Sequence, residues 1–342
     1  MDAMLVTGGA GFIGSNFIRY MVNNYPNILI VNFDALTYAG NLENLTDCEG
    51  KSNYIFIKGN IVSKEEVDYI FNKYKFKWVI NFAAESHVDK SILNPLAFAE
   101  TNFMGVCNLL NASKEHEISL FIQISTDEVY GSLGEEGFFT EESKIQPNSP
   151  YAASKAGGDL MVRAYYKTYG FPAIITRCCN NYGPYQFPEK LIPLVITNAL
   201  EDKPIPVYGD GKNVRDWIYV IDHIRGIELV WQKGKIGEVY NIGASHELTN
   251  IELVKKILDI MNKPHSLIKF VADRPGHDRR YAIDATKITK ELGYKPAYTF
   301  EEALEETIKW YIENRRWWER IKSGAYTRYY EEWYKKQLGL EE

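Results

Sequence analysis

A glycine-rich run near the N-terminus, Thr7-Gly8-Gly9-Ala10-Gly11-Phe12-Ile13-Gly14, constrains the fold more than any other stretch of the chain. Apolar residues 3–7 before it read as a buried strand, and residues 14–23 after it read as a helix. Glycines 8, 11 and 14 thus fall in a strand-to-helix turn with G-x-x-G-x-x-G spacing. Such a turn lets the backbone approach a ligand closely and lets the helix pack on the strand. The helix N-terminus adds free N–H groups and a positive dipole end, which suit a pyrophosphate. The pattern predicts a dinucleotide site at the first strand–helix junction of a parallel sheet.

The first half of the chain continues the alternation. Residues 28–33, 54–58, 78–82, 120–125 and 173–176 read as strands, and 64–74, 95–115 and 151–169 as helices. Strands alternating with helices predict an α/β fold, a Rossmann-type doubly wound parallel sheet. The second half is less regular. Residues 184–193 carry three prolines and read as a loop, 252–261 and 301–314 read as helices, and the aromatic tail 317–334 reads as a helical extension packed on the body. The expected organisation is a dinucleotide-binding Rossmann domain over 1–177, with an added segment near 214–243. A smaller C-terminal α/β domain over 178–342, mainly substrate-binding, interlocks with it.

Asp34 ends the second strand, 20 residues after Gly14. A carboxylate there accepts hydrogen bonds from the adenosine ribose hydroxyls and repels a phosphate, so NAD is expected rather than NADP. Composition narrows the partners. Lys and Arg number 39 against 45 Asp and Glu, a net charge of −6, which argues against a nucleic-acid surface. No apolar run approaches the roughly 20 residues that cross a bilayer, so no membrane is expected. Residues 1–8 lack the basic stretch of a signal peptide. The four cysteines (48, 107, 178, 179) form no C-x-x-C pair. A reducing, cytoplasmic setting is expected, with Cys178 and Cys179 as buried filler. The six histidines show no metal-ligand spacing, and no metal is expected.

Tyr151-Ala152-Ala153-Ser154-Lys155 puts a phenol and an ammonium at i and i+4 on one helix face. The ammonium is expected to lower the phenol pKa, making Tyr151 the proton acceptor for an alcohol oxidised by NAD. Ser125-Thr126-Asp127-Glu128-Val129-Tyr130-Gly131 falls at the C-terminal end of a strand, the edge where open α/β sheets bind ligands. Epimerisation would need only the tyrosine and the coenzyme. Elimination of water needs one group to take a carbon-bound proton and another to protonate the departing hydroxyl. Asp127 and Glu128 offer both, because two close carboxyls push one pKa upward and keep one of them protonated.

With the glycine turn, the Tyr-Lys pair resembles the extended short-chain dehydrogenase/reductase superfamily. Further stretches carry the likeness to one family within it: Asp34-Ala35-Leu36-Thr37-Tyr38-Ala39-Gly40-Asn41, Asn81-Phe82-Ala83-Ala84-Glu85-Ser86-His87-Val88-Asp89, Asn180-Asn181-Tyr182-Gly183-Pro184 and Asp273-Arg274-Pro275-Gly276-His277-Asp278-Arg279-Arg280. Across nearly its whole length the chain resembles the dTDP-glucose 4,6-dehydratase family of the bacterial dTDP-rhamnose route. Thr126-Asp127-Glu128 is the most specific match, since related decarboxylases usually carry Ser where Asp127 stands.

The resemblance implies conversion of dTDP-glucose to dTDP-4-keto-6-deoxyglucose by C4 oxidation, loss of water across C5 and C6, and hydride return to C6. It implies catalytic roles for Thr126, Asp127, Glu128, Tyr151 and Lys155. It implies cofactor contacts from Gly8, Gly11, Phe12, Ile13, Gly14, Asp34, Thr37, Asn60, Ile61, Ala83, Ala84, Glu85, Thr101, Tyr151, Lys155 and Asn181. Substrate contacts are implied for Ser86, Thr126, Asn180, Lys190, Leu191, Pro206, Tyr208, Arg215, His246, Arg274 and His277. Arg215 and Arg274 suit diphosphate oxygens. A homodimer through helices 95–115 and 151–169 is also implied.

Two departures stand out. Asn60 replaces an Asp common in relatives. Ala244-Ser245-His246 follows Tyr240-Asn241-Ile242-Gly243, where relatives usually carry Gly and then Asn. His246 is expected to donate to the substrate or to face phosphate as a cation, which leaves the base open between dTDP, UDP and another nucleotide. Rival readings are a UDP-hexose 4-epimerase or a nucleotide-sugar decarboxylase, against which Asp127 argues, and a non-catalytic NAD-sensing protein. Retention of Tyr151, Lys155, Asp127 and Glu128 argues against the last.

Overall fold

The computed structural model describes residues 1–324. Its strands are β1 (Asp2–Thr7), β2 (Ile28–Asp34), β3 (Tyr54–Lys58), β4 (Phe76–Asn81), β5 (Leu120–Thr126), β6 (Ala173–Cys178), β7 (Asn180–Tyr182), β8 (Ile205–Tyr208), β9 (Val214–Tyr219), β10 (Val239–Ile242), β11 (Glu247–Thr249) and β12 (Ile268–Val271). Its helices are α1 (Phe12–Asn24), α2 (Lys64–Lys73), α3 (Val88–Leu93), α4 (Pro95–Ala99), α5 (Val106–Glu115), α6 (Pro150–Tyr169), α7 (Leu191–Leu200), α8 (Val220–Lys233), α9 (Asn250–Ile260), α10 (Thr286–Leu292), α11 (Phe300–Glu313) and α12 (Arg315–Lys322).

Seven strands form one parallel sheet in the order β10-β6-β5-β4-β1-β2-β3. Both faces are covered. Met4, Val6, Ile30, Ile80 and Ile122 point into one core, while Leu5, Val31, Val79 and Phe121 point into the other. The period of two seen in β1 explains why its apolar run is unbroken: alternate side chains serve opposite layers. The Rossmann-type sheet expected from the sequence is present. From β1 the chain moves outward to β2 and β3, then crosses back to β4 on the other side. That reversal opens a crevice at the C-terminal strand ends.

Local chemistry fixes the helices that bear on this crevice. Ser149 caps α6 by accepting from the Ala152 N–H, Pro150 sits in its first turn, and Gly170 ends it at φ 65°. The expected helix 95–115 is present as α4, a π-type turn over Glu100–Gly105, and α5. The expected loop 184–193 ends early, because α7 starts at Leu191. Pro193 sits in its first turn, where its missing N–H breaks no intrahelical bond.

After β6 the chain builds two small sheets, β11-β9-β7 and β12-β8, and it returns once to the large sheet with β10. Capping boxes at Thr249/Glu252 and Thr299/Glu302 start α9 and α11. In the aromatic tail, α12 packs with Trp317 and Trp318 buried. Residues 325–334 of the expected helical extension lie outside the described residues.

Candidate active site

A cavity of about 310 Å³ runs along the C-terminal ends of β1, β2, β4, β5 and β6. Its floor is the glycine turn. Gly8 has φ +67°, and a Cβ built there would lie 2.5 Å from the Ala83 nitrogen. At Gly14 a Cβ would meet the Gly8 carbonyl oxygen at 2.3 Å, so turn and helix can touch only without side chains. Asp34 ties β2 to this turn. Its Oδ2 accepts from the Ala10 N–H at 2.9 Å and its Oδ1 from the Leu36 N–H at 2.8 Å. Burial pushes the Asp34 carboxyl up, and those two donors oppose the push. Gly11, Phe12, Ile13, Thr37, Asn60, Ile61, Ala83, Ala84, Glu85, Thr101 and Asn181 line the same cavity.

The far end gathers Thr126, Asp127, Glu128, Tyr151 and Lys155. Thr126 ends β5 and its Oγ1 accepts from the Glu128 N–H at 3.3 Å, folding residues 127–130 into a single tight turn. The two carboxyls have unlike surroundings. Burial pushes Asp127 well above the ordinary carboxylate range, and Glu128 and Asp216 push it further. Burial also raises Glu128, but Arg274, Arg215 and Lys190 pull it back. The expectation that close like charges raise one carboxyl holds, with burial as the larger cause.

The Tyr-Lys expectation needs correction. Lys155 Nζ donates to the Ile124 carbonyl oxygen at 2.7 Å. Tyr151 is pushed well above the ordinary phenol pKa by burial first and Glu128 second, while a hydrogen bond with Thr126 opposes this. Burial lowers Lys155. A shared helix face therefore does not by itself lower the phenol pKa: burial raises it, and the ammonium is turned to the Ile124 carbonyl.

Of the expected substrate contacts, Ser86, Asn180 and Lys190 line the cavity together with Thr126. Leu191, Pro206, Tyr208, Arg215, His246, Arg274 and His277 are not among its lining residues. Several of these sit just beyond Glu128. Arg274 Nη1 pairs with Asp89 Oδ1 at 3.2 Å, and the Tyr208 hydroxyl donates to Asp89 Oδ2 at 3.1 Å. The His277 and Tyr208 rings meet edge to face. Arg215 donates to the Val214 and Asp278 carbonyls and lies 4.3 Å above the Tyr281 ring.

His246 is placed elsewhere. Its ring stacks on Phe300 with centroids 4.1 Å apart, and burial lowers its pKa. A neutral ring against α11 replaces the expected cation facing phosphate.

The family-model match fits this geometry: residues 5–307 match the GDP-mannose 4,6 dehydratase model. A dTDP-glucose 4,6-dehydratase of Xanthomonas campestris pv. campestris (strain B100) is 51% identical over 95% of this chain and 97% of its own length. This chain belongs to the dTDP-glucose 4,6-dehydratase family. Two solved structures agree. The Bacillus anthracis dTDP-glucose 4,6-dehydratase, in complex with NAD, is 51% identical with a TM-score of 0.89, covering 94% of this chain and 100% of its own. The Streptomyces venezuelae dTDP-glucose 4,6-dehydratase, also with NAD bound, is 48% identical with a TM-score of 0.91 and the same coverage.

Within this dehydratase fold, some polar residues at the site carried no signal of their own in the sequence. Buried Glu189 lines the cavity and accepts from the Tyr38 hydroxyl at 3.0 Å. His223 on α8 meets Asn181 Oδ1 through Nδ1 at 2.8 Å. Asp89 pairs with Arg274, and Asp216 Oδ1 accepts from the His246 N–H at 2.8 Å. Asp89 ends one of the stretches that carry the family likeness, whereas Glu189, His223 and Asp216 belong to no local pattern and are brought in by tertiary packing.

Proposed function

We propose that the chain is an NAD-dependent dehydratase that converts dTDP-glucose to dTDP-4-keto-6-deoxyglucose. The bare glycine turn, the fixed Asp34 carboxylate and a cavity that joins both to Tyr151 fit an adenine dinucleotide with free ribose hydroxyls. NAD, when bound, supplies the acceptor for the C4 hydride and its donor to C6, and its oxidised ring adds positive charge that favours a tyrosinate. Tyr151 takes the C4 hydroxyl proton, Thr126 bonds the C4 oxygen, and Lys155 supports the site from beneath. Once C4 is a ketone, the C5 proton becomes acidic enough for Glu128 to remove. Asp127 protonates the C6 hydroxyl, and water leaves. C5 is then reprotonated, and net redox change is zero.

The observation that carries this reading is the contrast between adjacent carboxyls. Burial, Glu128 and Asp216 push Asp127 well above the ordinary carboxylate range against the pull of Arg215, which favours the protonated form that an acid needs. Glu128 faces Arg274, Arg215 and Lys190, which favour the ionised form that a base needs. An epimerase has no use for such a pair. Arg215, Arg274, Tyr208 and His277 are assigned to the nucleotide-sugar side beyond Glu128.

We assign the dinucleotide function to the large sheet, with 1–177 and the β10 return, and substrate binding mainly to residues after 178. Exposed Leu96, Met104 and Leu160 on the packed helices α4 to α6 support a homodimer through that surface. Four free cysteines support a reducing cytoplasmic setting. Among the described residues no helix is long and apolar enough to cross a membrane. Turnover on dTDP-, UDP-, CDP- and GDP-glucose, read as 4-keto product, tests the assignment. Product from dTDP-glucose supports it, and product from none of the four refutes it.

A further inference from the structure

We infer that Trp317 and Asn44 are positioning residues for the glycine turn, and that α12 thereby governs how tightly the dinucleotide is retained. The inference rests on the reading of the cavity as an NAD site. The Trp317 indole N–H donates to Asn44 Oδ1 at 2.9 Å, and Asn44 Nδ2 donates to the Ala10 carbonyl at 2.9 Å. Ala10 lies inside the turn, between Gly8 and Gly14, and its own N–H is held by Asp34. A bridge of three residues thus runs from the C-terminal helix to the phosphate-binding backbone.

The chemistry of the bridge admits few substitutes. An indole N–H only donates and a backbone carbonyl only accepts, so the residue between them must accept on one side and donate on the other. A side-chain amide does so in a single fixed orientation. Asn44 is 1% exposed and Ala10 0%, so water cannot readily repair a broken link.

The same helix braces the opposite wall. The Trp317 ring packs with Trp310 and Tyr185, at centroid distances of 5.1 and 5.9 Å. Tyr185 belongs to the loop 183–190, whose Gln186, Glu189 and Lys190 line the cavity. The Tyr311 hydroxyl donates to the Gln186 carbonyl, and Arg19 bonds the Asn44 carbonyl while lying 4.4 Å above the Tyr185 ring. Arg320 pairs with Glu43, beside Asn44. Glycine turn and loop are therefore pinned to one another through α11 and α12. A reaction that stores a hydride for one turnover needs such pinning, because a reduced coenzyme that escapes strands the intermediate.

The experiment compares two indole deletions on one helix. Trp317→Phe removes the N–H that reaches Asn44. Trp318→Phe removes an N–H that donates to the Tyr311 carbonyl at 2.8 Å, away from Asn44. Release of NAD from the holoenzyme is timed for both, with thermal midpoints and with kcat measured in added NAD. Trp317→Phe, and independently Asn44→Asp, should release NAD about fivefold faster, the size of one net hydrogen bond. Added NAD should restore their kcat. Trp318→Phe should release NAD at the parent rate even where its thermal midpoint falls. Parent-like release in Trp317→Phe and Asn44→Asp, or equal acceleration in Trp318→Phe, overturns the inference. A parent chain that binds no NAD overturns the proposed function along with it.

Discussion

Lys155 Nζ donates to the Ile124 carbonyl at 2.7 Å, while Tyr151, one helical turn earlier, is hydrogen-bonded with Thr126. The two side chains share a face of α6 without sharing a proton. Burial raises the phenol pKa, so in the proposed mechanism Tyr151 would act as a base only with substrate and oxidised coenzyme bound. Tyr151→Phe keeps the ring and removes the proton acceptor. Turnover should fall by about 10²–10⁴-fold, the usual worth of a positioned base, with no reduced coenzyme seen in stopped-flow absorbance. Near-parental turnover would remove Tyr151 from this role.

Glu128 acts after oxidation in this account. Glu128→Gln should still reduce bound NAD on mixing with dTDP-glucose, because C4 chemistry precedes C5 chemistry. Exchange of the C5 hydrogen with solvent should slow by about 10²-fold or more. Stopped-flow absorbance and deuterium incorporation measure the two steps separately. Unchanged C5 exchange would assign the base elsewhere.

Asp34 orders the glycine turn through Ala10, and in the proposed reading it also presents its remaining lone pairs to a ribose. Asp34→Ala should weaken NAD binding by about tenfold or more, the loss of at least one charge-assisted hydrogen bond. Calorimetric titration of NAD into the stripped protein checks this. An unaltered affinity would mean that the ribose is held by other residues.

His223 links acidity to stability. Burial lowers its pKa from 6.5 to about 3, and its Nδ1 meets the Asn181 side chain. The unfolded chain then binds more protons than the folded one between those values, so stability rises with pH across that window. It is fully present above about 6.5 and is lost as pH falls toward 3. Each unit within the window is worth roughly 1.4 kcal/mol. Between pH 7 and pH 5, His223→Gln should lose about 2 kcal/mol less than the parent in urea unfolding. Equal losses in both proteins would contradict the assignment.

Local order explains which features could be read from the sequence. The glycine turn, Asp34 and the Thr126-Asp127-Glu128 run lie at strand ends, and once the strands are placed the sheet delivers them all to one edge. The residues assigned to the cofactor accordingly border one cavity. Contacts made across the chain were not readable in the same way. Arg274 meets Asp89 across 185 positions, and His246 lies on Phe300 because α11 packs against β9 and α9. Lys155 turns to a β5 carbonyl that no helix periodicity reveals. Pro193 suggested a loop, yet the first turn of a helix tolerates it. Trp317 looked like a packing aromatic, and its link to Asn44 and Ala10 needs three segments brought together.

The central claim is that a hydride borrowed from C4 is returned to C6 within one molecule. Turnover of dTDP-glucose carrying deuterium at C4 tests it most directly, with the product read by NMR. The account predicts deuterium at C6 of the 4-keto-6-deoxy product, transferred without dilution by solvent. Deuterium retained at C4, or C6 filled from solvent, would contradict it.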